Sequence, residues 1–195
     1  NAAQRVDYFI ANSTFVARRI AKFYRRPSYI ANPPIDCNEF SVDSGLKNYY
    51  LALGQLVPYK RFDILIDAFN EMPDKKLKIA GTGPMEKQLK KKANKNIEFL
   101  GWVSDSEKIG LYQKCKAYLF PGIEDYGITP LEAQACGRPV IALGKGGVTD
   151  TVKGVRQAEI EIYSPDKHTG LFFSERNKEN VIDAVTIFEE KIEKK

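Results

Sequence analysis

Apolar and polar positions along the chain fall into two alternating patterns. Short apolar runs of the kind that form strands buried on both faces occur at Asn48–Leu53, Ile97–Leu100, Ala117–Phe120, Val140–Leu143 and Thr169–Phe173, and Lys76–Ala80 alternates like a strand. Between these runs the apolar residues return at helical spacing. Phe62, Leu65, Ile66 and Phe69 make a clean stripe, Met85–Ala93 follows a turn at Gly81–Pro84, and another helix starts at a cap on Ser104 or Ser106. A short helix follows Gly146-Gly147 through Val152, and Asn177–Lys195 predicts a closing helix with Val181, Ile182, Val185, Ile187 and Phe188 on its apolar side. Nearer the amino terminus, Val6–Ala11 predicts a strand, Asn12-Ser13 caps a helix to about Tyr24, and Tyr29–Ala31 predicts a second short strand. The connection Lys153–His168 is longer than the next strand needs, and the alternation in Glu159–Tyr163 predicts an extra edge strand or hairpin there. Strands alternating with helices in this way predict an α/β fold: one Rossmann-like domain over residues 1–195, built on a doubly wound parallel sheet with helices on both faces. No internal repeat or low-complexity linker interrupts it.

The stretch Phe120–Gly147 concentrates the candidate chemistry. Its first strand stops at Pro121-Gly122, and the polar, glycine-punctuated segment to Gly127 predicts a loop. Thr129 stands where an N-cap belongs, with Pro130 at the first helical position, Glu132 three residues after the cap, and Gly137 ending the helix. A loop at the carboxyl end of a parallel strand, feeding a helix N-terminus, is where open α/β sheets bind ligands. The N–H groups of Ile128 and Thr129, with the helix dipole, favour an anion there, typically a phosphate. Lys60 lies on another strand-to-helix connection at the same end of the sheet. Each residue also has a plain reading. Glu132 fits a capping-box glutamate bonded to the Thr129 N–H, Glu124 a solvated loop acid, and Lys60 an exposed surface charge.

Composition narrows the function classes. With 195 residues, 43% hydrophobic and 28% charged, the chain has the make-up of an ordinary globular domain, and no apolar run is long enough to span a bilayer. Cys37, Cys115 and Cys136 lack metal-ligand spacing, and an odd count argues against a disulfide framework; the simple inference is a reducing, cytoplasmic compartment. The net charge of +5 gathers in Lys75–Lys78 and Lys87–Lys95, where it alternates with apolar residues as a solvated helix face does; peripheral association with the inner face of a membrane is the second reading. Nucleic acid is disfavoured, because no aromatic platform interleaves with those lysines. Gly81-Thr82-Gly83 does not complete a dinucleotide fingerprint, since Glu86 occupies the third glycine position, and no P-loop occurs. His168 is the only histidine, so no His-based triad or His cluster is available, and its plain role is structural.

The run E-D-Y-G-I-T-P-L-E, followed by A-Q-A-C-G-R-P-V-I-A and Gly146-Gly147, resembles the E-x7-E segment of retaining GT-B glycosyltransferases, and in particular glycosyltransferase family 4 and its mannosyltransferase-like members. The resemblance implies that the domain is the donor-binding, C-terminal half of a GT-B enzyme, with residues 1–30 forming the hinge and first strand–helix region and the acceptor-binding N-terminal half absent. It implies retaining transfer from a nucleotide-diphosphate sugar, GDP-mannose by closeness of the motif, to a glycan or lipid-linked acceptor. In that scheme Glu124 bonds sugar hydroxyls and steadies the cationic ring carbon, and Glu132 holds the ribose. Lys60 and the Ile128 and Thr129 N–H groups neutralise the leaving diphosphate, with Tyr126 and Gly127 in the same substrate-binding segment and no metal required. Gly54–Arg61 resembles the family's G-R-L-x-x-x-K-G, with Lys60 matching its lysine, Gln55 replacing its arginine and Arg61 its final glycine. Gln55 cannot make the bidentate charged contact of arginine, and Arg61 is the residue placed to compensate. The backbone of Val103, after Gly101-Trp102, corresponds to the base contact; packing is the plain reading of Trp102. The alternative function is a non-catalytic nucleotide-sugar-binding or regulatory module, favoured by the Gln55 departure. A two-carboxylate glycoside hydrolase would not need the phosphate-binding setting.

Overall fold

The computed structural model describes residues 2–43 and 45–193. Seven strands form one sheet in which every pairing is parallel: β3 (Tyr50–Leu53), β4 (Leu77–Ala80), β5 (Ile97–Gly101), β6 (Tyr118–Phe120), β7 (Val140–Leu143), β8 (Gly154–Arg156) and β9 (Gly170–Phe173). Their spatial order is β5-β4-β3-β6-β7-β9-β8. The chain therefore builds outward from β3 through β4 to β5, then returns to the other side of β3 and builds outward again from β6. Strand order reverses between β3 and β6, and the carboxyl ends of strands at such a reversal are where open α/β sheets bind ligands.

Alternate residues along each strand face opposite helical layers. Tyr50, Ala52, Ile79, Leu119, Ile141, Leu171 and Phe173 pack on one side against α2 (Phe62–Asn70), α3 (Glu86–Lys92) and α7 (Lys178–Ile187). The stripe Phe62, Leu65, Ile66 and Phe69 is buried there as its spacing predicts. Leu51, Tyr118, Phe120, Val140, Ala142 and Phe172 face the other side, against Tyr112 of α4 (Asp105–Lys114), Ala133 of α5 (Ile128–Ala135) and Val148 of α6 (Val148–Thr151). Both faces of the sheet are covered, which is why the strands are apolar throughout.

The amino-terminal segment stands apart as a unit of its own. β1 (Ile10–Ala11) and β2 (Tyr29–Ile30) pair in parallel as a separate two-stranded sheet, joined by α1 (Thr14–Tyr24), whose N-cap is Ser13. Tyr8, Ile10 and Tyr29 are mostly exposed on it.

Three expectations are corrected. The strand expected over Val6–Ala11 shrinks to Ile10–Ala11, because its earlier residues have no partner strand. Gln157–Ile162 is a 3-10 segment and not a strand; the extra edge strand exists, but at Gly154–Arg156, beside β9. Trp102, whose plain reading is packing, is 76% exposed. The closing helix continues past α7 as a π-helical turn over Phe188–Ile192; the last residues of the expected Asn177–Lys195 helix, Lys194 and Lys195, lie outside the described residues. His168 has a structural setting: its Nδ1 accepts from the Ser164 N–H at 3.1 Å, and its ring stacks on Tyr163. Among the described residues no helix is long and apolar enough to cross a membrane.

Candidate functional site

Two strand-to-helix connections meet where the strand order reverses. The chain leaving β3 passes through a 3-10 turn, Pro58–Lys60, into α2, and the chain leaving β6 passes through Pro121–Gly127 into α5. Because β3 and β6 are neighbours, Lys60 Nζ comes to 2.9 Å from Glu124 Oε1, with the two side chains 16% and 22% exposed. Partial desolvation strengthens that attraction relative to a surface pair. Oε1 of Glu124 is buried, yet it accepts no hydrogen bond: the lysine answers it by charge without hydrogen-bond alignment. Buried carboxylate oxygens are normally hydrogen-bonded; here Lys60 is the partner the fold supplies, and this oxygen becomes available to a ligand only as that contact rearranges.

The loop carrying Glu124 is held in place by backbone contacts. The Gly147 N–H donates to the Glu124 carbonyl at 2.8 Å. Only glycine permits that approach, since a Cβ on residue 147 would fall 2.2 Å from the Asp125 carbonyl oxygen. Gly127, at φ +98°, then turns the chain directly into α5.

This turn corrects the expected cap. Gly127 and not Thr129 is the N-cap of α5, so Thr129 and Pro130 both lie within the first turn, where a missing proline N–H costs nothing. The Thr129 hydroxyl is instead 2.9 Å from the Tyr118 hydroxyl, itself 3.0 Å from the Leu53 carbonyl oxygen. With the helix starting earlier, Glu132 falls outside the capping position and faces α4. Its carboxylate is 8% exposed and takes Lys108 Nζ on Oε1 at 2.9 Å and the Tyr112 hydroxyl on Oε2 at 3.0 Å. Burial works to lower the Lys108 pKa, but the bonds to Glu132 and Asp105 outweigh it and raise it. Burial, with Tyr118 and Glu132 nearby, pushes the Tyr112 phenol well up, so it stays a donor. Lys108 and Tyr112 were not singled out from sequence; their signal is a four-residue spacing that sets both on one face of α4.

An open groove of about 580 Å3 runs along this region, with Tyr59, Ile123, Glu124, Tyr126, Ile128 and Thr129 among its walls. The structure thus brings together Lys60, Glu124, Tyr126, Gly127, Ile128 and Thr129. Glu132 lies one turn along α5, turned to α4. Gln55 is exposed and makes no side-chain hydrogen bond among the described residues. Arg61 is not gathered in: its guanidinium binds Asp63 through Nε at 2.9 Å and Nη2 at 3.0 Å, beside Met85 and Leu89 on the α2–α3 side. Val103 is half-buried after β5, separated from β3 by β4. Among the described residues no group of three or more His, Cys, Asp and Glu is arranged to hold a metal ion.

A second cavity, of about 360 Å3, opens at the amino ends of β6, β7 and β9 beside Lys116, Arg138 and Phe188. Its cations are already answered, Lys116 by Glu189 and Glu193 and Arg138 by the carbonyls of Cys136 and Asp43. Of the two clusters, only the one at the carboxyl end holds a buried side-chain oxygen without a hydrogen bond.

Comparison with known proteins places the chain in a family. The family model described as glycosyl transferases group 1 matches residues 39–195. An uncharacterized glycosyltransferase of Methanocaldococcus jannaschii is 35% identical over 156 residues, covering 77% of this chain and 44% of its own length. A GDP-mannose-dependent monoacylated alpha-(1-6)-phosphatidylinositol monomannoside mannosyltransferase of Corynebacterium glutamicum is 34% identical over 128 residues, covering 58% of this chain and 34% of its own. Anabaena HepE, solved in complex with UDP and glucose, superimposes with a TM-score of 0.80 at 20% identity, over 98% of this chain and 56% of its own. The chain thus spans about half the length of the proteins it resembles, and the seven-stranded parallel sheet is that of GT-B glycosyltransferase structures.

Proposed function

Because the chain belongs to the glycosyl transferases group 1 family, we propose that it is the donor-binding half of an enzyme that moves a glycosyl unit from a nucleotide-diphosphate sugar to an acceptor. The observation that carries this reading is the Lys60–Glu124 pair at the strand-order reversal, with Glu124 Oε1 buried and short of a hydrogen bond, beside the N-terminus of α5. A diphosphate has a cation and the free N–H groups of Ile128 and Thr129 to meet it there. These take up the charge that develops as the glycosidic C–O bond breaks and its electron pair passes to the diphosphate. Glu124 accepts from a sugar hydroxyl and steadies the positive ring carbon. Glu132 binds the ribose hydroxyls by exchanging its present bonds with Lys108 and Tyr112.

The finer assignments belong to the same proposal. We read the chain as the C-terminal half of a family 4 enzyme, working with retention and without a metal, since lysine and helix dipole stand where a divalent cation would. GDP-mannose is the donor we favour, because relatives from Corynebacterium glutamicum and Mycobacterium tuberculosis are named for it at 34% identity. Their phosphatidylinositol-linked acceptors support a lipid-linked acceptor, met at a membrane face by the part of the protein beyond this chain.

The test is calorimetric titration of this chain with GDP, UDP, ADP and GDP-mannose, with and without EDTA, beside Glu132→Ala. The expected result is preference for one nucleotide, indifference to EDTA, and at least tenfold weaker binding after the substitution. Equal or absent binding of all of them at millimolar concentration would sink the reading. A non-catalytic sugar-nucleotide-binding module is the second reading, favoured by the unbonded Gln55 and by the engagement of Glu132 with α4. Binding without transfer by the whole protein would select it.

A further inference from the structure

The loop that bears Glu124 is also held from the amino-terminal unit, through contacts that nothing in the donor site requires. The Ser13 hydroxyl donates to the Asp125 carbonyl, and Ser13 is fully buried. Ser13 Oγ also accepts from the Val16 N–H at 3.0 Å, so one side chain is both the cap of α1 and its foot on the loop. Arg19, on the same helix, reaches Asp125 Oδ1 with Nη1 at 2.6 Å. The Thr14 N–H donates to the Asp150 carboxylate on α6, which starts immediately after the Gly147 that holds Glu124. The N-terminus of α1 therefore stands end-on against a carbonyl and a carboxylate, the polarity its dipole favours. The two carbonyls that follow the Glu124 side chain along the chain are therefore both held: its own by Gly147, and its neighbour's by Ser13.

We infer that Ser13 and Arg19 are positioning residues that act through Asp125 to set the place of the Glu124 carboxylate. The unit β1–α1–β2 lies outside the stretch matched by the family model and outside the seven-stranded sheet, so these contacts join two separate parts of the fold. The inference rests on the donor-site reading above and deepens it. By linkage, a sugar donor that requires Glu124 in place favours the docked unit, and a docked unit favours the sugar donor, by the same factor. The two contacts are unequal. Arg19 and Asp125 are 52% and 56% exposed, and such a pair contributes little alone. The buried Ser13 bond carries most of the coupling.

The experiment separates sugar from nucleotide. Affinities for a nucleotide and for its sugar nucleotide (GDP and GDP-mannose, or UDP and UDP-glucose, whichever the unmodified chain binds) are measured on Ser13→Ala, Ser13→Thr, Arg19→Ala and Asp125→Asn, with the exposed Arg18→Ala as control. Hydrogen exchange at the Gly147 N–H is followed by NMR in the same samples. Ser13→Ala is expected to weaken the sugar nucleotide about three- to tenfold, to leave the nucleotide alone unchanged, and to speed Gly147 exchange by a similar factor. Ser13→Thr restores both, Arg19→Ala and Asp125→Asn each cost about twofold without adding, and Arg18→Ala changes nothing. Equal losses for nucleotide and sugar nucleotide would mean general damage and overturn the inference. So would wild-type behaviour of Ser13→Ala while Glu132→Ala abolishes binding, a result that leaves the donor site standing. If the unmodified chain binds no nucleotide, the donor site falls, and Gly147 exchange still decides the coupling: unchanged exchange in Ser13→Ala refutes it.

Discussion

The two ends of the seven-stranded sheet carry clusters of the same residue types and satisfy them differently. At the amino end, Glu189 takes Lys75 Nζ at 2.6 Å, the Tyr50 hydroxyl at 2.8 Å and Lys116 Nζ at 3.0 Å, and Lys116 also reaches Glu193 at 2.9 Å. Both Glu189 oxygens are occupied, and the cluster fastens the π-helical turn after α7 to the strand ends. At the carboxyl end, Glu124 has one lysine and no aligned donor on its buried oxygen. A saturated network rigidifies a fold; an unsaturated one leaves capacity for a ligand. Charge alone does not distinguish a site from a fastening. The remaining acceptor capacity does.

The sharpest way to break this comparison is to remove one cation from each end. Lys60→Met is expected to weaken nucleotide-diphosphate binding by about 30-fold in calorimetry, since charged hydrogen bonds contribute roughly 1.5–3 kcal/mol each, at a stability cost of about 1 kcal/mol from the half-buried Glu124 left without its cation. Glu189→Gln is expected to do the reverse: unchanged nucleotide affinity and a stability loss of about 2 kcal/mol, read in the same urea series. Its pH dependence has a definite sign. Burial works to raise the Glu189 pKa, but the bonds from Lys75, Lys116 and Tyr50 outweigh it and bring it from 4.5 down to about 2. A group depressed in the folded state stabilises fully above its unfolded value and loses that contribution as pH falls through its folded value. The advantage of the wild type over Glu189→Gln is therefore expected to hold above about pH 4.5 and to vanish toward pH 2. A gap between the two proteins that stays constant down to pH 2 would show that Glu189 is not the group being titrated.

How much of this was legible in the sequence follows from the physics of each feature. The core strands and the α2 stripe were, because burial on one or both faces writes directly into apolar spacing. The meeting of Lys60 and Glu124 at one end of the sheet followed from parallel topology, which sends every strand-to-helix connection to the same side. The start of α5 did not: Thr129-Pro130 is a good cap sequence, and it lost to a glycine at positive φ two residues earlier, a backbone state that residue identity permits without announcing. The partners of Glu132 and the foot of Ser13 on Asp125 were invisible for a different reason. Each joins residues on separate elements, with 20 to 112 positions between them, and no local pattern encodes a contact of that kind. The alternation at Glu159–Tyr163 misled because it does not match the burial: the segment is 3-10, with Gln157, Ile160 and Tyr163 half-buried at a spacing of three and Ile162 left exposed.

A smaller effect sharpens the boundary of the site on the α4 side. Tyr112→Phe removes the donor on Glu132 Oε2 and leaves that buried carboxylate with Lys108 and its helix neighbours. The expected cost is about 1 kcal/mol of stability, by urea unfolding, the value of one hydrogen bond to a charged acceptor less the relief of the tyrosine's own burial. A loss above about 3 kcal/mol would place Glu132 among the fastenings and against a ligand role.

The smallest effect concerns Arg61, and its direction is the informative part. Arg61 sits at φ +56°, a left-handed conformation that costs a residue with a Cβ roughly 1 kcal/mol, at the position where the resembled motif has glycine. In return its guanidinium pairs with Asp63, at 32% and 36% exposure, a contact worth about 0–1 kcal/mol. Arg61→Ala keeps the strain and loses the pair, whereas Arg61→Gly loses the pair and the strain together. Glycine is therefore expected to be the more stable variant by up to about 0.5 kcal/mol, the reverse of the usual order, because relief of the strain exceeds its extra unfolded-state entropy. Neither variant should change nucleotide affinity, since the guanidinium is held on the α2–α3 side, away from Glu124. A tenfold loss of diphosphate binding in Arg61→Ala would show that the arginine swings across to do what Gln55 cannot, and the site would then reach to the α2–α3 side.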